Sequence, residues 1–161
     1  MSRETLPGQK QFCASVLFVT QSTPVKTLLV HHKKYDLWVQ PGGHIEFDEN
    51  PMQTAIREAL EETGIDVSSY VVPGEKIDEY AFPVPVPNFF LEEKITATPD
   101  TPEHFHLDFL YLVRLPEAIA PRLEEGGAHD IRWFTLEEVR QLPTFANTLY
   151  LLEKIMSPPT A

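Results

Sequence analysis

Between Gly43 and Gly64 the chain places Glu49, Arg57, Glu58, Glu61 and Glu62. At 100° per residue, Glu58, Glu61 and Glu62 fall within roughly a 100° arc of one helix face. Ala55, Ile56, Ala59 and Leu60 form an adjoining apolar arc suited to packing on a sheet. Like charges at this spacing destabilise a helix by roughly 0.2–0.5 kcal/mol a pair. A hard divalent cation reverses that penalty, because Mg²⁺ takes oxygen ligands. Arg57 reaches Glu61 at i+4, or Glu49 if the preceding loop folds back, and so can hold a carboxylate in place. A solvated acidic face is the plainer reading of a Glu-Glu pair. The glycines, the first glutamate, the arginine and the closing glycine, occurring together, argue against it.

The elements that must carry these groups are well punctuated. Asn50 can cap a helix, Pro51 suits its first position and Gln53 completes a capping box, so a helix is predicted over Pro51 to Thr63. Gly64 accepts the left-handed turn at its end. Pro41-Gly42-Gly43 reads as a sharp bend, in which glycine adopts angles forbidden to other residues. Upstream, Gln11 to Thr20 and Lys26 to His32 read as strands joined by a hairpin loop at Gln21 to Pro24. Lys33 to Asp36 is a charged turn, and Leu37 to Gln40 a short extended piece. Downstream, Ile65 to Val72 leads to more strand. Pro83, Pro85 and Pro87 make Tyr80 to Pro87 a loop or an edge. Phe89 to Thr98, His104 to Arg114 and Asp130 to Phe134 read as strands, with a polar loop at Glu124 to His129. Thr135 and Glu138 form a second capping box, opening a helix that stops before Pro143. Thr144 to Met156 has helical spacing.

The arrangement G-x5-E-x7-R-E-U-x-E-E-x-G-U, read from Gly43 to Ile65, resembles the 23-residue box of the Nudix hydrolases, with its seven fixed positions all present. The flanks Trp38 to Gly42 and Arg132 to Glu138 are similar to that family with less specificity. The resemblance implies an α/β/α sandwich, a mixed β-sheet between helices with the box as loop–helix–loop. It also implies Mg²⁺- or Mn²⁺-dependent hydrolysis of a phosphoric anhydride in a nucleoside diphosphate linked to another group, by water attack on phosphorus. Glu58, Glu61 and Glu62 are then metal ligands with the Gly42 carbonyl as a fourth, and Arg57 and Glu49 support the loops. Glu61 is the box's candidate general base. Outside the box, His104, His106 and Asp108 alternate along one strand and share a face, while Phe105, Leu107 and Phe109 look like core. That face is either a solvated outer surface or a wall of the substrate cleft, with His106 or Asp108 meeting phosphate, metal or attacking water. Gly43, His44 and His104 are expected to bind substrate. A catalytically silent ligand-sensing module of the same fold is the alternative, and a degenerate box would have favoured it.

Composition bounds the partners. A chain of 161 residues suits a single domain, with residues 1–10 as a loose arm. The net charge of −11 argues against a nucleic-acid polymer or an anionic membrane as partner. A small nucleotide-type pyrophosphate fits if a metal supplies local positive charge. One cysteine, Cys13, reads as a buried structural thiol and points to a reducing compartment, with the cytoplasm as default. No membrane span or secretory signal is read. A homodimer is the commonest assembly. His31, His32, Lys33 and Lys34 form the densest basic run, either a solvated turn or a lip for leaving phosphates. Trp38, Phe82, Phe89 and Phe90 read as packing before base stacking. His129 and Asp130 lie where an extra acidic ligand is sometimes supplied in the family, but none is assigned.

Overall fold

The computed structural model describes residues 5–123 and 128–157. Strand β1, Lys10–Thr20, is buried from Cys13 to Thr20 and forms the spine of a seven-stranded sheet. Its even-numbered apolar residues Ala14, Val16 and Phe18 meet one core cluster. Leu17 meets another. Burial on both faces is what an apolar run without alternation demands. One edge of β1 pairs in parallel with β6, His104–Leu115, along its whole length, from Lys10 opposite Phe105 to Thr20 opposite Leu115. Its other edge is shared. β2, Thr27–His32, takes the end at Val19, and β4, Gly42–His44, takes Cys13 to Ser15, both antiparallel. β3, Leu37–Val39, and β7, Ala128–Phe134, pair antiparallel with β2. β5, Phe89–Ile95, pairs antiparallel with β6.

Helices cover both faces. α1, Pro51–Thr63, buries Met52, Ala55 and Ala59 against the Val16 and Phe18 side. α2, Leu136–Val139, and α3, Ala146–Met156, bury Val139, Leu151 and Leu152 against the Leu17 side. The result is the expected α/β/α sandwich around a mixed sheet. Among the described residues no helix is long and apolar enough to cross a membrane.

Several expectations are corrected. Ile65 to Val72 forms no strand. Ile65, Val67 and Val71 instead plug the α1-side core singly from a chain of turns. Leu60, expected to pack on the sheet, is 45% exposed. The buried stripe runs through Met52, Ala55, Ala59 and Thr63, and Leu60 lies about 100° off it. His129 lies within β7, whereas 124–127 of the expected polar loop lie outside the described residues. The strand at Phe89 ends at Ile95, short of Thr98.

The Gly42-Gly43 pair is not a bend that exploits unusual angles. Among the described residues, positive φ in glycines is confined to Gly8 and Gly64. Both residues lie in β4, held by Val16 N–H to Pro41 O at 2.9 Å and Ile45 N–H to Phe12 O at 2.9 Å. What requires glycine is space. A Cβ on Gly42 would stand 2.7 Å from Ser15 Cβ and 2.8 Å from the Ala14 carbonyl oxygen. The carbonyl belongs to the buried spine strand and cannot yield. Gly42→Ala is therefore expected to lower unfolding stability by roughly 1–3 kcal/mol, the usual cost of overpacking. Chemical denaturation of the two proteins measures it.

Candidate functional site

The loop before α1, the helix and the β4 backbone meet at Arg57. Asn50 Oδ1 accepts from Gln53 N at 3.0 Å, and Gln53 Oε1 accepts from Asn50 N at 2.9 Å, so the first turn starts where the capping box predicts. Gly64 closes the helix at φ 71°. Arg57 grips Glu49 with two parallel bonds, Nε to Oε1 at 2.7 Å and Nη2 to Oε2 at 2.9 Å. The same guanidinium reaches Glu58 at 2.7 Å, Glu61 at 3.0 Å and the His44 carbonyl at 3.3 Å. Both partners foreseen for Arg57 are thus engaged together. Glu49 also accepts from the Thr54 hydroxyl at 2.7 Å. Its bonds to Arg57 pull its carboxyl from 4.5 down to about 2.

Glu58 and Glu62 face the β4 backbone. Glu62 accepts the Gly42 N–H at 3.0 Å. Glu58 lies flat on Gly43, where a Cβ would come within 2.6 Å of its Cδ. Burial pushes the Glu58 carboxyl up, against the opposing pull of Arg57. Burial likewise lifts Glu62 to about 7, and the charges of Glu58 and Glu61 add to it. Glu61 is the outer member, its side chain 54% exposed against 14% for Glu58. One guanidinium contacts three carboxylates, Glu49, Glu58 and Glu61, and Glu62 adds its charge beside them. A donor set of oxygens alone with uncompensated negative charge fits a hard divalent ion, Mg²⁺ or Mn²⁺. The contact Gly42 makes with these carboxylates is through its N–H.

A cavity of about 500 Å³ opens on the other side of β4. Gly42, Gly43 and His44 line it, with His106 and Asp108 from β6 and Asn147 from α3. The His106 and Asp108 face is therefore not a solvated outer surface; Asp108 is 2% exposed. Asp108 Oδ2 accepts from the Ser15 hydroxyl at 2.8 Å, while Oδ1 is buried without a partner among the described residues. Burial raises this carboxyl to about 7, with the Glu93 charge adding and Ser15 opposing. Burial, together with neighbouring His44 and His104, lowers His106 to about 4, and its Nε2 also lacks a partner among the described residues. His104 is buried behind His106, bonded through Nδ1 to the Pro102 carbonyl at 2.8 Å, and does not line the cavity. The glutamates of α1, Glu49 and Arg57 are not among its walls either, so β4 stands between the two halves of the site.

The remaining candidates separate. Trp38 is buried and stacked with His31, whose Nε2 meets Asp36 at 3.0 Å. His32 lines the cavity; Phe82, Phe89 and Phe90 do not. Asp130 is tied to Ile131 N–H and to Arg132 in its own strand. Cavity residues that sequence reasoning missed are Ser15, Glu93, which accepts from the Asn147 amide, and Asn147 itself. Strand register brings the first two there, Ser15 from β1 beside β6 and Glu93 opposite His106, whereas Asn147 arrives on α3 from the far end of the chain.

The Arg57–Glu49 pair has a pH signature. The Glu49 carboxyl is lowered from 4.5 to about 2 on folding, so its stabilisation is complete above 4.5 and disappears as pH falls through about 2. Glu49→Gln is expected to cost on the order of 2 kcal/mol at neutral pH, with the difference from wild type shrinking as pH drops below 4.5. Urea titrations at a series of pH values test this.

The NUDIX domain model matches residues 9–153. A probable DHNTP pyrophosphohydrolase of Lactococcus lactis subsp. cremoris is 29% identical over 127 residues, covering 79% of this chain and 64% of that protein. Phosphatase NudJ of Escherichia coli K12 is 29% identical over 114 residues, 70% of this chain and 61% of that protein. The chain thus spans less than two thirds of the length of these relatives. Among solved structures, a NUDIX-family hydrolase from Clostridium perfringens superposes with TM-score 0.69 at 26% identity, over 91% of this chain and 95% of that one. The E. coli dihydroneopterin triphosphate pyrophosphohydrolase shares the fold, with TM-score 0.65 at 18% identity over 94% of this chain and 98% of that one. A match that runs from β1 into α3, on a chain whose box folds around Arg57 as described, means that this protein belongs to the NUDIX family.

Proposed function

We propose that the protein is a divalent-metal-dependent pyrophosphohydrolase, acting on a nucleoside diphosphate linked to another group. The observation that carries this reading is the pairing across β4. Half-buried carboxylates gathered by Arg57 lie on one side, and a cavity ending in His106 and Asp108 lies on the other. The relatives' names, a DHNTP pyrophosphohydrolase and a phosphatase, agree with it. Glu58, Glu61 and Glu62, with the Gly42 carbonyl, are the residues that would hold Mg²⁺ or Mn²⁺. The bound ion supplies charge neutralisation and a bound water of lowered pKa.

The rest of the work falls to the chain itself. Arg57 and Glu49 keep the glutamates in register; they are positioning residues. Glu61, the most exposed of the three, is paired with Arg57 through one oxygen and would take the proton of the attacking water. His44 and the Gly43 backbone offer contacts to the phosphates from β4. Asp108 and His106 present unpartnered atoms to the substrate in the cavity, and His104 acts through His106. The substrate is a small molecule, since a surface of net charge −11 repels polyanions over any long contact. The stretch 9–153 supports one NUDIX domain for the chain. Residence in the cytoplasm and assembly as a homodimer belong to the same proposal.

A panel of nucleotide-linked pyrophosphates assayed for product with Mg²⁺, and again with chelator, tests the reading. Product is expected from at least one compound and only with metal. Ligand binding without release from any of them would favour the sensing module. On the best substrate, Glu61→Gln should lower kcat by roughly 10²–10⁴-fold, the range of a lost general base. Calorimetry should show Mg²⁺ uptake lost in Glu58→Gln/Glu61→Gln/Glu62→Gln. Asp108→Asn should reduce kcat/KM by at least about tenfold, on the order of 1.4 kcal/mol of transition-state binding.

A further inference from the structure

The same three strands that separate cavity from carboxylates bring a different donor set together. Cys13 of β1 is the register partner of His44 on β4. On the opposite edge of β1, Gln11 pairs with His106 and Cys13 with Asp108. Side chains two apart share a face, so Cys13, His44 and His106 come together from three adjacent strands. One potential ligand atom from each lies within 4.8 Å of the other two, and all three residues line the cavity.

The two imidazoles are prepared for a cation. His44 Nε2 lies 2.8 Å from Gln11 Oε1. A carboxamide oxygen only accepts, so Nε2 carries the proton and Nδ1 keeps its lone pair. An outer partner that fixes the tautomer in this way is the usual accompaniment of a metal-binding imidazole. His106 Nε2 is buried with no hydrogen-bond partner among the described residues, and the ring is neutral at physiological pH. The Cys13 thiol is buried, and burial raises its pKa, so it holds its proton until a cation displaces it. Thiolate with two imidazoles is a soft-to-borderline set. It discriminates against Mg²⁺ as surely as the glutamates of α1 favour it. With the cavity in front, a three-ligand site keeps its fourth position open.

We propose that Cys13, His44 and His106 form a second metal site, for a zinc-type divalent cation, in the cavity wall and separate from the carboxylates of α1. It shares His44 and His106 with the proposed substrate contacts, and metal uptake without substrate tests it apart from turnover.

Co²⁺ is the probe, added to reduced full-length protein with Mg²⁺ in excess to occupy the carboxylates. The expected result is one Co²⁺ per chain with a thiolate-to-metal charge-transfer band, displaced by Zn²⁺. Cys13→Ser should abolish the band, and Cys13→Ser and His106→Gln should each raise the Zn²⁺ Kd at least about tenfold. Gln11→Leu, which removes the His44 partner, should weaken Zn²⁺ binding while leaving all three ligands in place. Glu61→Gln should leave the band in place. A wild type with no charge-transfer band, or a Cys13→Ser protein with undiminished Co²⁺ and Zn²⁺ affinity, would overturn the proposal.

Discussion

One guanidinium organises this molecule's chemistry. Arg57 binds the carboxylate of the loop in bidentate fashion and touches two of the helix glutamates and the β4 backbone with its remaining N–H groups. Charge-assisted bonds in a partly desolvated setting are the strong kind. A buried ion pair on its own is weak evidence of stability, because desolvation offsets much of the attraction. The value of this one is geometric. It joins three segments that would otherwise drift apart, and it lets carboxylates that repel one another share a single turn.

The spine strand determines what the cluster faces. β1 gives one edge wholly to β6 and divides the other between β2 and β4. That division inserts Gly42 and Gly43 as a partition between α1 and the cavity. The partition is thin because neither residue has a side chain. Ser15 presses on it from one side and Glu58 from the other. Any larger residue would force apart the two halves that the proposed chemistry joins.

Electrostatics explain the division of labour between the two sides. The cavity end offers neutral histidine and a carboxyl raised to about 7, with little permanent positive charge. On the proposed reading, a polyanionic ligand in the cavity of a chain of net charge −11 needs positive charge from elsewhere, and a hard cation on the oxygen-lined helix would supply it. Soft donors gather instead at Cys13, so the two sides of β4 differ in the metals they suit.

Local chemistry was legible in the residues. The cap at Asn50, the stop at Gly64, the glutamates on one face and the Arg57–Glu61 contact follow from spacings of three or four residues, where helix geometry decides who meets whom; the Glu49 contact needed the loop to fold back as well. The burial of β1 was likewise written in its unbroken apolar run. Contacts between distant segments were not. The reason for Gly42 lies in Ala14 and Ser15, not in its own backbone angles. Whether the His106 and Asp108 face met solvent or cavity depended on which strand lay beside it and on α3 covering that side. Leu60 was misjudged because the sheet chose which stripe of α1 to bury. Periodicity records a residue's own orientation along an element; the partner across a parallel pair, and the space left between elements, exist only once the chain has folded.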